Sequence, residues 1–151
     1  MQSASVFQLK DRLLVHSESK TIAGLWIASE PFLVLPKDAD AFALGKAVSL
    51  ALANSKQSVA PPNDWRLVSA PLFAAAGVSS ERAFHSGSSF VSLSNNQNGY
   101  TATPHSNGGA SGNNKGFHPI LESQSIIGPG SNEDAIGALV LAALDACRTG
   151  A

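Results

Sequence analysis

Two segments of the chain carry apolar residues three and four positions apart, the spacing that places side chains on one side of an α-helix. The first segment lies near residue 48 and the second near the C-terminus. Both are rich in alanine and leucine, which favour helix. In each segment these apolar residues form a stripe along one side of the helix. The first stripe is Leu44, Ala47, Val48, Ala51 and Leu52, and the second is Ile136, Val140, Ala143, Leu144 and Cys147. The pattern predicts two amphipathic helices.

Polar residues stand where each helix is expected to begin. Asp38 or Asp40 precedes the first helix, and Ser131 or Asn132 precedes the second. Side chains of these types accept hydrogen bonds from the free backbone N–H groups of a first helical turn. Gly150 is placed to end the second helix, since glycine is common just past a helix C-terminus.

Shorter apolar and β-branched runs between turn residues predict strands. A polar piece at residues 94–98 that ends in Gly99 suits a hairpin loop of four or five residues. A short helix is expected at residues 80–85, and loops at residues 54–65 and 104–116, the latter rich in Gly, Asn and Ser. The predicted strands are residues 6–9, 12–16, one or two within 25–35, 89–93, 99–103 and 120–127.

The chain also matches itself when it is shifted by 92 positions. Residues 24–54 and 116–146 then each read as a glycine, an extended apolar stretch, a polar turn and a helix. The alternative is an accidental likeness between two strand–helix units. The seven identical pairs are Gly24 and Gly116, Glu30 and Glu122, Ala43 and Ala135, Gly45 and Gly137, Val48 and Val140, Ala51 and Ala143, and Leu52 and Leu144.

These elements predict an α+β fold, with a mostly antiparallel sheet and the two repeat-related helices packed on it. The length of 151 residues suits one domain over residues 1–151. Charged residues make up 14% of the chain, against about 25% in an average soluble domain, and the formal net charge is −1. This balance disfavours direct nucleic-acid binding, and no apolar run reaches the ~20 residues that span a membrane. A single cysteine, Cys147, fits a reducing cytoplasm.

The motifs of the common catalytic classes are absent from the sequence. Lys115 in the glycine-rich segment is followed by Gly116 instead of the Ser or Thr of a phosphate-binding loop. No G-x-S-x-G marks a nucleophilic serine, and the four histidines lack a zinc-ligand spacing. We therefore expect no enzyme activity, no cofactor and no metal. The alternatives are a small hydrolase or transferase that uses His105 and His118 near the glycine-rich loop, or an accessory subunit of a larger complex.

The order of packing and turn segments resembles the immunity proteins of bacterial contact-dependent growth inhibition, the CdiI type. The likeness covers nearly the whole chain but rests on no chemical signature. The glycine-rich run at residues 104–116 departs from it. The segments that carry the likeness are residues 6–16, Ile22-Ala23-Gly24-Leu25-Trp26, residues 33–36, 44–52, 77–84 and 88–91, Gly116-Phe117-His118-Pro119-Ile120, and residues 136–144.

The resemblance implies a small cytoplasmic α/β protein that binds and blocks the C-terminal toxin domain of a CdiA-type protein. For the branch that this sequence resembles, the toxin is a ribonuclease. A ribonuclease active site is basic because it binds phosphate, so carboxylates are expected to contact it through charge-assisted hydrogen bonds. Exposed aromatic residues are expected to anchor the interface. The predicted toxin-binding residues are Glu30, Asp38, Asp40, Glu122, Glu133 and Asp134, the amides Asn95, Asn96 and Asn98, and the aromatics Trp26, Trp65 and Tyr100.

Overall fold

The computed structural model describes residues 1–149, which form eight strands and four helices. A 3₁₀ turn at Leu121–Ser123 lies between the sixth and seventh strands. In chain order the elements are β1 (Gln2–Gln8), β2 (Arg12–Lys20), β3 (Trp26–Pro36), α1 (Ala41–Ala53), α2 (Arg66–Ala76), α3 (Glu81–His85), β4 (Ser89–Asn96), β5 (Gly99–Asn107), β6 (Phe117–Pro119), β7 (Ser125–Ile127), α4 (Glu133–Ala146) and β8 (Arg148–Thr149).

The strands form one sheet in the order β3-β2-β1-β4-β5-β6, and every neighbouring pair in this order is antiparallel. Strand β7 also pairs with β5 in antiparallel fashion, whereas the two-residue β8 pairs with β5 in parallel. The central strands β1 and β4 are therefore flanked on both sides. The predicted α+β fold with a mostly antiparallel sheet is confirmed.

Helices α1 and α4 pack together on one face of the sheet and bury the two predicted apolar stripes. Strand residues that alternate along β1, β2, β4 and β5 point toward these helices, as expected for a period of two. The main core consists of Ala4, Val6, Leu13, Val15, Val91, Leu93 and Ala102 from the sheet, Leu44, Ala47, Val48, Ala51 and Leu52 from α1, and Ile136, Leu139, Val140, Ala143 and Leu144 from α4.

The opposite face of the sheet carries a second, smaller core beneath α2 and α3. Here Phe7, Leu9 and Leu14 pack with Ala76 of α2 and Phe84 of α3. Rings of Phe73, Phe90 and Phe117 surround Phe7 and Phe84. Burying a phenylalanine side chain contributes about 1.5–3 kcal/mol, so this cluster holds the short helices against the sheet. These two helices cover only the half of the face around Phe7.

Two expectations about connections in the middle of the chain are wrong. Asn96 pairs with Gly99, so the β4–β5 hairpin has a two-residue turn at Gln97-Asn98 instead of a four- or five-residue loop. Strand β5 continues to Asn107, so the predicted loop at residues 104–116 begins inside the sheet. Pairing with the neighbouring strands outweighs the weak strand preference of asparagine at these positions.

Two further segments differ from their predicted structure. Residues 120–127 are not one strand, because a 3₁₀ turn at Leu121–Ser123 separates β6 from β7. Helix α2 was not predicted, because Pro71 within it and the prolines just before it mask its helical pattern. Helix α4 ends at Ala146, and Gly150, its predicted terminator, lies outside the described residues.

Candidate binding surfaces

Four of the carboxylates predicted to bind a partner lie in or just before the first turns of α1 and α4, and these two turns contact each other. Asp40 caps α1, where its Oδ1 accepts a hydrogen bond from the Ala43 N–H at 2.9 Å. Asn132 caps α4 in the same way, through the Ala135 N–H at 2.9 Å. Asp38 lies outside α1 and is exposed, and Ser131 donates to the carbonyl oxygen of Gly128 instead of capping. The remaining members of this acidic region are Glu133, half-buried, and Asp134, exposed.

The other predicted binding residues are dispersed over the surface. Glu122 lies 3.7 Å from Arg148, and Glu30 is exposed on the edge strand β3. The Trp26 ring lies beneath the Lys20 ammonium, with 5.7 Å between Nζ and the ring centroid. Trp65 is 51% exposed at the start of α2, on the sheet face opposite α1 and α4. The structure therefore does not bring these residues into one site.

The four predicted binding residues at the β4–β5 hairpin have different environments. The Asn95 amide donates to Gln2 Oε1 at 3.1 Å, and Asn96 Oδ1 accepts from the Asn98 N–H at 2.8 Å. Tyr100 packs against the core beneath α4 and is half-buried. Asn96, Gln97 and Asn98 are exposed at the tip. The hairpin tip thus presents backbone and three amides, and the one aromatic residue predicted here, Tyr100, packs against the core.

The two histidines of the hydrolase or transferase alternative do not converge. His105 pairs with Pro119 and Ser106 pairs with His118, so the side chains of His105 and His118 point to opposite faces of the sheet. His105 is buried and its Nδ1 lies 3.0 Å from the Thr103 carbonyl oxygen. His118 is exposed and its Nε2 bonds the Asn114 carbonyl oxygen at 2.9 Å. This geometry leaves no shared substrate position.

The glycine-rich segment closes on itself after β5. The Gly108 N–H donates to the Gly116 carbonyl oxygen, and the Gly116 N–H donates to the Gly109 carbonyl oxygen, both at 2.8 Å. Asn107, buried at its base, donates to the carbonyl oxygens of His85 at 2.7 Å and Ser88 at 2.8 Å. Asn107 Oδ1 accepts from the Gly109 N–H at 2.8 Å. This side chain, which sequence reasoning missed, ties the segment to the end of α3.

Two histidines border the phenylalanine cluster and are buried. His16 stacks near Phe7 and Phe32, with ring centroids 5.8 Å and 5.4 Å away. Burial lowers the pKa of His16, against the opposing effect of its hydrogen bond to the Ser17 carbonyl oxygen. Burial likewise lowers the pKa of His105, whose ring lies 4.3 Å from that of Phe90. Both imidazoles are therefore held neutral at neutral pH.

A hollow of about 450 Å³ lies between α2, α3 and the sheet. Its floor is aromatic, and Arg66, Ser69 and Glu81 stand at its rim. His85, whose Nδ1 is buried and has no hydrogen-bond partner, lines one wall.

Cys147 lies against β4, away from this hollow. Its Sγ donates a hydrogen bond to the Phe90 carbonyl oxygen, and burial raises the pKa of its thiol.

Hydroxyl side chains line the part of this sheet face that α2 and α3 do not cover. The registers pair Ser5 with His16 and Ser92, and pair Ser3 with Glu18 and Ser94, so all these side chains point to the same face. Across the next strand, Ser92 pairs with Thr103 and Ser94 with Thr101. We call this surface the hydroxyl face; it consists of Ser3, Ser5, Ser92, Ser94, Thr101 and Thr103, with Glu18 as its carboxylate. The sequence carries its signature as serine and threonine at alternate strand positions.

The described part of the chain, residues 1–149, holds no group of three or more His, Cys, Asp or Glu residues arranged to bind a metal ion. Within residues 1–149, none of the helices is both long enough and apolar enough to cross a membrane. The fold and its surfaces thus define a small α+β protein that presents acidic and hydroxyl-rich areas around a closed core.

Comparison with known families identifies this protein more narrowly. The family model CdiI, described as CDI immunity protein, matches residues 2–147. The chain belongs to this family of contact-dependent growth inhibition immunity proteins, and the resemblance noted in the sequence is confirmed. A search of curated proteins finds no match.

Two solved structures have a similar fold. A Neisseria meningitidis protein, described as protein of unknown function NMB0488, superimposes with a TM-score of 0.79 and 21% identity, covering 97% of this chain and 95% of its own. A chain from a CdiA-CT/CdiI toxin and immunity complex of Yersinia pseudotuberculosis gives a TM-score of 0.77 and 18% identity, covering 97% of both chains. At these identities the likeness establishes the shared fold.

Proposed function

We propose that this protein binds the C-terminal toxin domain of a CdiA-type protein in the cytoplasm and neutralises it without catalysis. The observation that carries the proposal is the match of the CDI immunity protein family to residues 2–147. The fold neighbour from Yersinia pseudotuberculosis comes from a toxin and immunity complex, which supports the same role. Inhibition of this kind depends on a surface that complements the toxin in shape and charge.

The binding test uses the toxin domain encoded beside this chain. Co-expression of the two proteins, with an affinity tag on the toxin domain alone, is expected to yield a one-to-one complex that survives gel filtration. Growth arrest by the toxin domain is expected to be relieved by this chain. The C-terminal domain of an unrelated CdiA protein serves as the control and is expected neither to co-purify nor to be blocked.

Stoichiometry separates a binding protein from an enzyme that modifies the toxin. When the toxin is titrated with this chain, its residual activity is expected to fall linearly and reach zero at one equivalent. An enzyme would abolish toxin activity at a small fraction of an equivalent, given time. Inactivation by a hundredth of an equivalent would therefore refute the proposed mode of action.

We propose further that the toxin is a nuclease, of the ribonuclease kind implied by the resemblance. A site that binds phosphate is basic, and this chain offers exposed carboxylates such as Asp38 and Asp134 without an ion-pair partner among residues 1–149. Incubation of the purified toxin domain with total RNA and with plasmid DNA tests the substrate. We expect the toxin domain to degrade RNA. If it degraded neither RNA nor DNA, the nuclease proposal would be contradicted, but the immunity function would not be affected.

A further inference from the structure

The hydroxyl face is the part of this sheet face that α2 and α3 do not cover, and it carries one carboxylate among neutral hydroxyls. Phe7, Leu14 and Phe90 lie under α2 and α3, whereas the next rows across the sheet, those of Ser5 and Ser3, have no helix above them. Ser3, Ser92, Ser94 and Thr101 are half-buried. Ser5 and Thr103 are buried, and Thr103 accepts a hydrogen bond from the Gln124 amide at 2.7 Å, so the accessible part of the face is the half-buried set. An apolar sheet face is normally covered by a second layer, whereas this part of the face is polar and has no helix over it.

Glu18 is the carboxylate on this face, and no cation neutralises it. Its Oε1 accepts a hydrogen bond from the Ser5 hydroxyl. No ion pair among residues 1–149 includes Glu18. Lys20, two residues along the same strand, holds its ammonium over the Trp26 ring. His16, the neighbour across from Ser5, is kept neutral by burial, so it supplies no compensating charge.

The surroundings of Glu18 favour one kind of ligand. A half-buried carboxylate among neutral hydroxyls binds an ammonium or guanidinium through charge-assisted hydrogen bonds, which are about twice as strong as neutral ones. The adjacent serine and threonine hydroxyls donate and accept, so they match polar groups on either side of that cation. The charge complementarity rests on the proposed nuclease activity of the toxin, since a toxin that binds phosphate carries lysine and arginine residues at its surface.

We propose that the hydroxyl face is the surface on which this chain seats a basic segment of its toxin partner, with Glu18 accepting hydrogen bonds from a lysine or arginine of the toxin. This inference rests on the proposed immunity function. Glu18 lies on the sheet face opposite α1 and α4. The carboxylates at the starts of these helices are therefore not expected to contact the toxin at the centre of the interface.

Kinetic binding measurements with the toxin domain encoded beside this chain test the proposal. Glu18→Gln retains an acceptor for the Ser5 hydroxyl but removes the charge, and it is expected to raise Kd about tenfold, mainly through faster dissociation. Ser94→Arg fills the face and offers Glu18 an internal cation, so we expect at least as large a loss. Asp145→Asn and Ala142→Arg, both exposed on α4, are the matched controls and are expected to change Kd less than about twofold.

The outcomes separate this inference from the function on which it rests. If the unmodified chain does not bind the toxin domain, both the immunity function and the proposed binding site on the hydroxyl face are refuted. If the unmodified chain binds normally and Glu18→Gln and Ser94→Arg bind as tightly as the controls, only the proposed binding site on the hydroxyl face is refuted. A loss confined to Asp134→Asn would instead locate the contact at the helix ends and overturn the proposal. Thermal unfolding of every variant shows whether a loss of binding reflects a loss of fold.

Discussion

Gly45 and Gly137 make reciprocal contacts where α1 and α4 pack together. A Cβ atom on Gly45 would overlap the carbonyl oxygen of Glu133, and a Cβ atom on Gly137 would overlap the carbonyl oxygen of Ala41. Each glycine thus lies against the first residue of the opposite helix. The lack of a side chain at both positions lets the two backbones approach this closely.

These contacts predict a large loss of stability when either glycine gains a methyl group. Gly45→Ala and Gly137→Ala are each expected to lower the free energy of unfolding by about 3 kcal/mol, because the helices must move apart to relieve the overlap. Urea unfolding followed by circular dichroism measures the change. Gly128→Ala is the control, since a Cβ there meets no atom within 4 Å.

The two substitutions share one helix interface, so their effects are not expected to add. Once Gly45→Ala has separated the helices, the second methyl group at Gly137 meets less resistance. The double variant is therefore expected to lose less than the sum of the single variants. Strict additivity in a double-mutant cycle would contradict the reciprocal contact.

Asn107 is expected to be the most sensitive polar residue of the glycine-rich segment. Asn107→Ala leaves the carbonyl oxygens of His85 and Ser88 and the Gly109 N–H without their partner. The free energy of unfolding is expected to fall by about 2–3 kcal/mol, the cost of unsatisfied buried polar groups. Asn113→Ala, at an exposed position of the same segment, serves as the control in the same urea experiment. Equal losses in the two variants would contradict the anchoring role.

Protonation of the buried histidines is expected to couple stability to pH. Burial lowers the pKa of His16 and of His105 in the folded chain, whereas a histidine in the unfolded chain has a pKa of about 6.5. Below that pH the unfolded state binds protons that the folded state does not. The free energy of unfolding should therefore fall as the pH drops from about 6.5 toward the folded pKa values, by at most about 1.4 kcal/mol per pH unit for each histidine.

Urea unfolding between pH 5.5 and 7.5 measures this dependence. The double variant His16→Gln/His105→Gln is expected to show a flatter profile than the unmodified chain. His118→Gln, at an exposed position, is the control and is expected to keep the original slope. If the double variant kept the full slope, other groups would be responsible for it.

The sequence pattern predicted the parts of the fold that depend on local periodicity. The stripes around Val48 and Val140 became α1 and α4, and one of the two proposed caps proved right at each helix, Asp40 and Asn132. Helix α2 escaped prediction because its helical state depends on packing Leu72 and Phe73 against the phenylalanine cluster, which only the tertiary fold assembles. The internal repeat over residues 24–54 and 116–146 stays a prediction.

The candidate surface was less accessible to sequence reasoning than the fold. Carboxylates at helix starts are conspicuous in a sequence, and Asp40 turned out to serve α1 as its cap. Glu18 was not among the predicted binding residues, because its environment depends on the registers that bring Ser5 and Ser94 from different strands to the same face. Strand order and register are set by long-range pairing, which a single sequence does not display.

The capping role of Asp40 can be separated from its charge. Asp40→Ala removes the acceptor for the Ala43 N–H and is expected to lower the free energy of unfolding by about 1 kcal/mol. Asp40→Ser keeps a capping oxygen without the charge and is expected to stay within about 0.5 kcal/mol of the unmodified chain. Asp38→Ala, which removes an exposed carboxylate that caps nothing, is the control and should change stability by less than about 0.5 kcal/mol. Thermal and urea unfolding give the three values, and an Asp40→Ser variant as unstable as Asp40→Ala would show that the negative charge at the helix start, and not the hydrogen bond, stabilises α1.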